Sequence, residues 1–363
     1  MKESGIILVL TNRASWARSK TIIEHYRGKI DVILGSSANF KDYGDIVEEV
    51  KELVDSDSIW AVNMAVEGDE PVKMSKTVGL STIELSTLFD NLNPKAVITV
   101  ADRFETLATA IAASYMNIPL VHIQGGERSG SIDDKVRNAI TQLADYHFVS
   151  TNQAGRNVSR MIRDKWNNVF VTGCPSIDLI RIGDDRWHNP FCKEPYALLV
   201  NHSDTTQYEK SKENVDVLLL AVKNAISKHK LTFVTILPNI DSGSGIIRKE
   251  IREQFKAIGI NDIYVNVDPF TYLDWLKGAK FIIGNSSSGI REAGALGTWC
   301  INVGDRQKNR EKANNVLDCP YTLESIEAMI NFCIKNKRPF PSHLYGDGHA
   351  GEKIAKKLEV LFG

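Results

Sequence analysis

Acidic side chains crowd one glycine-rich joint of the sequence, VHIQGGERSGSIDDKVRNAITQ at residues 121–142. This stretch holds Glu127, Asp133 and Asp134, and Asp102 follows an apolar run upstream. Carboxylates held close together raise one another's pKa, so one can act as an acid and another as a base near neutral pH. We therefore expect acid–base chemistry here. The alternative is that the two adjacent aspartates cap a helix at residue 135 and complement its dipole, and we expect one of them to do so.

Three glycines and two histidines accompany these carboxylates. Gly125, Gly126 and Gly130 predict that the backbone approaches a ligand closely, because glycine has no Cβ. His202 follows the first strand pattern of the second half of the chain, and this position fits a structural and a catalytic histidine equally. His122 lies inside an apolar run, which predicts a buried histidine satisfied by the protein.

A run of small hydroxyl residues, GNSSSGIREAG at 284–294, follows another apolar strand pattern. Ser286, Ser287 and Gly289 fall where a helix is predicted to begin. The N–H groups at a helix N-terminus form an anion site suited to a diphosphate. Glu292, one turn further on, is placed to accept hydrogen bonds from sugar hydroxyls. The alternative is a serine-rich helix cap with no ligand, and the motif alone does not separate the two.

Three arginines follow strand patterns and could supply forked donors to a phosphate: Arg13, Arg103 and Arg306. Taken singly, each fits a surface ion pair better. Their equivalent positions favour phosphate binding. The sequence has no G-x-x-x-x-G-K-S/T run and no G-x-G-x-x-G run opening a helix, which argues against P-loop chemistry and a dinucleotide cofactor. We expect no cofactor, and the absence of metal-ligand spacing predicts no metal.

The pattern of apolar residues predicts the strands and helices that position these side chains. Short β-branched runs alternate with helical patterns, which predicts parallel sheets covered by helices on both faces. The first series of strands is Gly5–Leu10, Ile30–Gly35, Ala96–Val100, Leu120–Gln124, Tyr146–Ser150 and Val169–Gly173, with helices at Ser15–Arg27, Val72–Asn91 and Phe104–Met116. The second series is Tyr196–Asn201, Leu231–Leu237, Asp262–Val267, Lys280–Asn285 and Trp299–Val303. Ligands of such sheets bind at the strand carboxyl ends, where the polar residues above are found.

The stretch between the two series, GDDRWHNPFCKEP, is polar and carries two prolines, as linkers do. We predict an N-terminal Rossmann-like domain at 1–182, a linker at 183–195, a C-terminal Rossmann-like domain at 196–345 and a final helix at 346–363. The fold class is α/β, two doubly wound domains.

Composition limits the partners. The chain has 363 residues, with 44 basic against 45 acidic side chains and a net charge of −1. This balance predicts no binding to nucleic acid or to an anionic membrane. We find no membrane-span pattern and no signal peptide. Five scattered cysteines with no C-x-x-C pair predict reduced thiols, and we expect a cytoplasmic protein.

Taken together, the motifs resemble the hydrolysing UDP-N-acetylglucosamine 2-epimerases, including the epimerase domain of the bifunctional animal enzyme. The matching segments run from residue 11 to 350: TNRASW, DRFETLATAIAASYMNIPLVHIQGGE, SIDDKVRNAITQLADYHFVST, TGCPSID, LPNIDSGS, GNSSSGIREAGALGTWCINVGDRQKNR and YGDGHA. The resemblance implies a GT-B-like fold with a nucleotide-sugar site in the cleft between two domains. It also implies a UDP-sugar substrate and a homodimer or homotetramer.

The resemblance assigns roles residue by residue. It implies that UDP is bound by Arg13, Arg103, Asn239, Ser286, Ser287, Gly289, Glu292 and Arg306. It implies a catalytic group of Asp102, Asp133 and His202. The family often has Glu where this chain has Gln124. Since an amide cannot act as a base, that duty falls to Asp102, Asp133 or Glu127.

The implied reaction is removal of the C2 proton with anti elimination of UDP to a 2-acetamidoglucal, followed by addition of water. UDP-N-acetylglucosamine is the first candidate substrate, with N-acetylmannosamine as the product for sialic-type acid synthesis. The segments ADRFETLATAIAASYMNIP and HIQGGE resemble those of a bacterial subgroup of the family. Part of that subgroup acts on 2,4-diacetamido-2,4,6-trideoxy nucleotide sugars on the route to legionaminic acid. A GT-B glycosyltransferase and a non-catalytic nucleotide-sugar sensor remain alternatives.

Overall fold

The computed structural model describes residues 5–43, 46–163, 167–183, 191 and 195–363. The chain divides into two compact units. The first unit comprises Met1–Arg128, Ile132–Leu179 and Gly346–Gly363, and the second comprises Ser129–Ser131 and Ile180–Tyr345. The predicted linker, 183–195, lies largely outside the described residues, so the predicted domain boundaries stay a prediction.

The first unit is built on a seven-stranded parallel sheet in the order β3-β2-β1-β4-β5-β6-β7. Its strands are β1 (Ile6–Leu10), β2 (Ile30–Gly35), β3 (Ile59–Val62), β4 (Ala96–Val100), β5 (Leu120–Ile123), β6 (Tyr146–Val149) and β7 (Val169–Val171). The α-helices in this part of the chain are α1 (Arg13–Ala17), α2 (Lys20–His25), α3 (Val47–Lys51), α4 (Pro71–Leu92), α5 (Phe104–Tyr115), α6 (Asp133–Leu143), α7 (Asn152–Ile162) and α8 (Pro175–Gly183).

The second unit repeats the design with a six-stranded parallel sheet in the order β10-β9-β8-β11-β12-β13. Its strands are β8 (Tyr196–Val200), β9 (Thr232–Ile236), β10 (Ile263–Tyr264), β11 (Phe281–Gly284), β12 (Trp299–Val303) and β13 (Val316–Cys319). The remaining α-helices are α9 (Ser211–His229), α10 (Ser244–Ala257), α11 (Pro269–Gly278), α12 (Glu292–Leu296), α13 (Leu323–Lys335) and α14 (Ala350–Phe362).

Each sheet is buried on both faces. Along β1, Ile6, Leu8 and Leu10 belong to one apolar cluster, whereas Ile7 and Val9 belong to another. Successive strand residues point to opposite faces, so this alternation places a core on each side of the sheet. β8 divides its residues between two clusters in the same way. The two-sided burial explains why the central strands are apolar throughout and predictable from sequence.

The strand orders reverse at one point in each sheet. In the first unit the reversal lies between β1 and β4, and in the second between β8 and β11. At such a point the connecting helices leave toward opposite faces, which opens a crevice at the strand carboxyl ends. The loops after β1, β4, β8 and β11 are therefore the places to look for ligand-binding residues.

Three strands and one helix differ clearly from the predictions. The strand predicted at Asp262–Val267 is much shorter, because only Ile263 and Tyr264 form β10. Strands β3 and β13 were not predicted, because both are half-exposed edge strands without a continuous apolar run. The single helix predicted at Ser15–Arg27 is two helices, α1 and α2. The hydroxyl of Ser19 donates to the carbonyl of Ser15 at 2.7 Å, and the N–H of Ser19 donates to the carbonyl of Trp16 at 2.9 Å. This local bonding tightens the turn and ends α1.

The C-terminal helix α14 belongs to the first unit, far from its neighbours in sequence. Asp178 holds its start, because its carboxylate accepts from the N–H groups of Ala350 at 2.9 Å and Gly351 at 2.6 Å. The same carboxylate accepts from the Thr21 hydroxyl at 3.0 Å. A Cβ at Gly351 would lie 2.2 Å from the Thr21 Oγ1 atom, so only glycine allows this close packing.

Four cysteines, Cys174, Cys300, Cys319 and Cys333, are buried free thiols, and Cys192 lies outside the described residues. Burial raises the pKa of the Cys319 thiol to about 11 and of the Cys333 thiol to about 12. Both thiols are therefore protonated at neutral pH and unreactive.

Among the residues that the structure describes, no helix is both long enough and apolar enough to cross a bilayer.

Candidate active site

The sequence-predicted site residues fall into two groups, one in each unit. The first unit carries Arg13, Asp102, Arg103, Glu127 and Asp133, and the second carries His202, Asn239, Ser286, Ser287, Gly289, Glu292 and Arg306. Arg13, Asp102 and Arg103 flank the β1/β4 reversal, and His202 and Ser286 flank the β8/β11 reversal. Local strand topology therefore brings each of these sets to one sheet edge.

Asp102 sits on a strained turn that the buried His122 supports. Ala101, immediately before it, has a positive φ of 69°, which is unusual for a residue with a Cβ. The Nε2 atom of His122 lies 2.8 Å from the carbonyl oxygen of Ala101, and its Nδ1 atom lies 3.3 Å from the Thr141 hydroxyl. Burial lowers the pKa of His122 to about 4, so the ring is neutral at pH 7 and Nε2–H is the donor to Ala101. The prediction of a buried, satisfied His122 is confirmed.

A fully buried guanidinium organises the carboxylates. Arg137 on α6 is 1% exposed and donates through Nη2 to the Asp102 carboxylate. Its Nη1 donates to the Asp134 carboxylate at 2.5 Å and to the carbonyl oxygen of Glu127 at 2.7 Å. One cation thus links the loop after β4, the loop after β5 and the start of α6. A buried charge with several charge-assisted hydrogen bonds holds its partners rigidly.

This arrangement corrects the predicted role of the two adjacent aspartates. Helix α6 begins at Asp133 with Ile132 as its N-cap, and the cap forms no side-chain hydrogen bond. Neither Asp133 nor Asp134 is therefore the capping residue, but both lie in the first turn, where their charge complements the helix dipole as predicted. Asp134 forms an ion pair with Arg137 instead, because its position three residues before the arginine places both side chains on one helix face.

The structure gives two of the three glycines a packing role, and their predicted close approach to a ligand stays a prediction. A Cβ at Gly126 would lie 2.2 Å from the carbonyl oxygen of Ala154, and φ at Gly126 is 77°. A Cβ at Gly125 would lie 2.9 Å from the Nδ1 atom of His122. These glycines let the loop pack against the protein itself.

Gln124 directly follows β5 and has a left-handed conformation, with φ of 68°. It is buried, and its Nε2 donates to the Cys174 sulfur at 2.8 Å. The amide therefore faces a thiol inside the first unit. A carboxylate at this position would lack that donor, so Gln124 suits the neighbouring cysteine.

Arg103 is already paired. Its Nε and Nη2 atoms donate to the two carboxylate oxygens of Glu105 at 3.1 and 3.0 Å. Glu105 is fully buried and also accepts from the Ser36 hydroxyl at 2.9 Å. Arg13 donates through Nη1 toward the Tyr43 carbonyl oxygen at 3.5 Å. Arg103 is therefore held by a carboxylate that sequence inspection did not single out.

In the second unit, His202 and Asn285 meet across the β8/β11 reversal. The Asn285 side chain accepts from the His202 N–H at 2.7 Å and donates to the His202 carbonyl oxygen at 2.8 Å. Arg306 donates through Nη1 to the carbonyl oxygen of Asn285 at 3.0 Å. Asn285 and Arg306 line a cavity of about 430 Å³ within this unit, together with Asp204, Lys210, Lys308 and Tyr321. The wall of this cavity carries both cations and carboxylates.

The serine loop differs from the predicted helix start. Ser287–Gly289 forms a 3-10 turn, and α12 begins only at Glu292 and has five residues. The Ser286 hydroxyl accepts from the Ser288 N–H at 3.3 Å. A Cβ at Gly289 would lie 2.5 Å from the Cys300 sulfur, so Gly289 is required for packing against β12. The loop offers hydroxyls and turn N–H groups, without a long helix dipole behind them.

Two of the predicted site residues in this unit carry buried acceptors. Asn239 and Glu292 are each 7% exposed. The Oδ1 atom of Asn239 and the Oε2 atom of Glu292 have no hydrogen-bond partner among the residues that the structure describes. Buried oxygens of this kind are costly unless a partner donates to them. A ligand with O–H and N–H donors would satisfy both.

Sequence inspection missed Arg137, Glu105 and Asn285. A signal existed for the first, since an arginine one turn after two aspartates on a helix predicts an ion pair. Glu105 two residues after Arg103 was a weaker signal. Asn285 gave no such signal, because its partner His202 is 83 residues away.

In the described part of the chain, no group of three or more His, Cys, Asp or Glu side chains is arranged to hold a metal ion.

Known proteins resemble this chain in sequence. Residues 27–359 match the family model described as UDP-N-acetylglucosamine 2-epimerase. A hydrolysing UDP-N,N'-diacetylbacillosamine 2-epimerase of Legionella pneumophila is 30% identical over 98% of this chain and 96% of its own length. A UDP-N-acetylglucosamine 2-epimerase of Neisseria meningitidis is 28% identical over 88% of this chain and 85% of its own.

A solved structure gives the same fold. The UDP-GlcNAc 2-epimerase of Methanocaldococcus jannaschii, crystallised with UDP-GlcNAc and UDP, has a TM-score of 0.82 at 18% identity, covering 98% of this chain and 99% of its own. The predicted GT-B-like class with two Rossmann-like sheets is confirmed. Because the family model spans almost the whole chain and the Legionella relative matches it end to end, this chain belongs to the UDP-N-acetylglucosamine 2-epimerase family.

Proposed function

We propose that this protein is a hydrolysing 2-epimerase that converts a UDP-2-acetamido sugar into UDP and the free 2-epimerised sugar. The observation that carries the proposal is the cluster in which Arg137 holds the carboxylate of Asp102 at the β1/β4 reversal of the first unit. Removal of a weakly acidic C–H proton requires a carboxylate in a fixed position, and this cluster supplies one.

In the proposed mechanism, Asp102 removes the proton from C2 of the sugar. The electron pair of that C–H bond forms the C1–C2 double bond as the C1–O bond breaks, and UDP leaves with the bonding electrons. Water then adds its oxygen to C1, and a proton returns to C2 on the opposite face. Asp133, in the first turn of α6, is our candidate for returning that proton. Glu127 is only 4% exposed and supports Arg137 through its carbonyl oxygen, so we give it a positioning role.

The second unit is proposed to bind the nucleotide. The buried acceptors of Asn239 and Glu292 suit the N–H of uracil and the hydroxyls of ribose. Ser286, Ser287 and Arg306 are our candidates for the diphosphate, with His202 supporting the charge that develops on the leaving group. Gly289 keeps the serine loop close to β12. In the first unit, Arg13 and Arg103 stay candidates for diphosphate binding, and Arg103 is paired with Glu105.

Two sugars are candidate substrates. UDP-N-acetylglucosamine follows from the family, whereas the relative matched at 30% identity along 98% of this chain is named for UDP-N,N'-diacetylbacillosamine. That similarity favours the 2,4-diacetamido sugar. The chemistry at C1 and C2 is the same for both, so the mechanism above does not depend on the choice.

NMR of the products in D₂O tests the proposal with each substrate in turn. We expect UDP and free sugar in equal amounts, with the sugar epimerised and deuterated at C2. Protium at C2, or an epimerised sugar still attached to UDP, would contradict hydrolytic elimination. Release of UDP only in the presence of a sugar acceptor would indicate a glycosyltransferase instead.

A further inference from the structure

The side chain of Asn285 holds the main chain of His202 on both sides of its α-carbon. It accepts from the His202 N–H at 2.7 Å and donates to the His202 carbonyl at 2.8 Å. Two opposed hydrogen bonds to one residue fix the direction of its Cα–Cβ bond. The imidazole of His202 therefore leaves the backbone in one orientation.

Asn285 is itself firmly anchored. It is buried, and its N–H donates to the carbonyl oxygen of Val200 at 3.3 Å. Its own carbonyl oxygen accepts from Arg306 at 3.0 Å and from the Gln307 side chain at 3.3 Å. Its position depends on Gly284, because a Cβ there would lie 2.2 Å from the Val200 carbonyl oxygen.

A half-buried tyrosine completes the network on the other side. The Tyr321 hydroxyl donates to Oδ1 of Asn201 at 3.0 Å and lies 3.4 Å from Nδ2 of Asn285. Burial raises the pKa of this phenol, so the hydroxyl keeps its proton and acts as a donor. Asn201 directly precedes His202, and the short loop is thus held at two successive residues.

Asn285 also directly precedes Ser286, the first residue of the serine loop. We infer that Asn285 is a positioning residue that fixes His202 for catalysis and joins it to the loop that binds the diphosphate. This inference rests on the proposed function and deepens it. A purely structural asparagine would change stability alone, whereas a positioning residue lowers turnover through His202.

A double-mutant cycle separates these roles. We would measure kcat, KM and UDP affinity for Asn285→Ala in the wild-type background and in a His202→Ala background. Misplacement of a reacting group by about 1 Å can cost about 100-fold. In the wild-type background we expect Asn285→Ala to lower kcat by about 10- to 100-fold and to leave UDP affinity within about threefold. With His202 already removed, the same change should lower kcat less than about threefold.

Asn302→Ala is the matched control. Asn302 is an equally buried asparagine near the end of β12, and its amide donates to Asp318 at 2.7 Å rather than to the His202 loop. We expect kcat within about threefold in both backgrounds. If Asn285→Ala does not fold, Asn285→Asp serves as a second variant, because it keeps the acceptor for the His202 N–H and places a carboxylate oxygen where the donor to the His202 carbonyl stood.

The outcomes distinguish the two proposals. Additive losses from Asn285→Ala and His202→Ala would overturn the positioning role while leaving the epimerase proposal intact. A loss of UDP affinity equal to the loss of kcat would also overturn it, since the effect would then lie in the nucleotide loop. Failure of the wild-type protein to release UDP from either candidate sugar would overturn the proposed function and, with it, this inference.

Discussion

Replacing Asp102 with asparagine separates proton abstraction from ion pairing in the Arg137 cluster. Asparagine has nearly the same shape as aspartate, and its Oδ1 atom can still accept from Arg137. The guanidinium also keeps its bonds to Asp134 at 2.5 Å and to the Glu127 carbonyl oxygen at 2.7 Å. The change therefore removes a base without leaving a buried cation unpaired.

The two expected effects differ in size. Hydrogen bonds to charged groups contribute about 1.5–3 kcal/mol and neutral ones about 0.5–1.5, so Asp102→Asn should lower the free energy of unfolding by about 1 kcal/mol. A general base contributes about 10²- to 10⁴-fold to the rate, which corresponds to about 3–5 kcal/mol in the activation free energy. Loss of activity should clearly exceed loss of stability.

Turnover of the UDP sugar, urea denaturation and UDP titration calorimetry measure the three quantities. We expect kcat to fall at least about 100-fold and UDP affinity to stay within about twofold. Asp134→Asn is the matched control, because Asp134, one turn before Arg137 on α6, binds the same guanidinium. It should lower stability similarly and kcat less than about fivefold. Equal losses of kcat in both variants, or a kcat above about a tenth of wild type in Asp102→Asn, would refute our assignment of the base.

Two further predictions concern nucleotide binding and pH. Glu292→Ala should weaken UDP binding about tenfold or more, since one or two hydrogen bonds are worth about 1–3 kcal/mol. The control is Glu324→Ala, because Glu324 is exposed. If calorimetry gave Glu292→Ala the UDP affinity of the wild type, the proposed contact with ribose would be contradicted. Burial lowers the pKa of His122 from 6.5 to about 4, so the unfolded chain binds this proton first as the pH falls. Stability should therefore decrease from pH 6.5 to 4 by up to about 3 kcal/mol through this group. In urea denaturation, the free energy of unfolding of His122→Gln should lack this decrease between pH 6.5 and 4. If the free energies of unfolding of the wild type and the variant changed in parallel with pH, the prediction would be wrong.

The central strands were predictable because their environment is uniform. β2, β4 and β12 have the bounds expected from their apolar runs, since each is covered by core on both faces. The edge strands β3 and β13 escaped prediction because half-exposed residues leave no continuous apolar signal. The division between α1 and α2 also escaped prediction, because hydrogen bonds at Ser19 divide one amphipathic pattern into two helices.

The loops that carry the candidate site were also predictable, but their internal bonding was not. Strand ends followed by polar residues singled out Asp102, His202 and Ser286 because parallel sheets collect ligands at their carboxyl ends. Which side chains meet there depends on atoms that are distant in the chain. Arg137 reaches Asp102 across 35 residues, and Asn285 reaches His202 across 83.

By itself, the sequence determined two doubly wound parallel sheets, the loops that bear the chemistry and the residue types in them, because periodicity and strand ends are local features of the chain. Only the tertiary structure decided the partners. It showed that a buried arginine holds the carboxylates, that Arg103 is paired with Glu105 and that Asn285 holds His202. The reason is the short range of hydrogen bonds and ion pairs: a displacement of about 1 Å makes or breaks them, and no local pattern encodes a distance that fine.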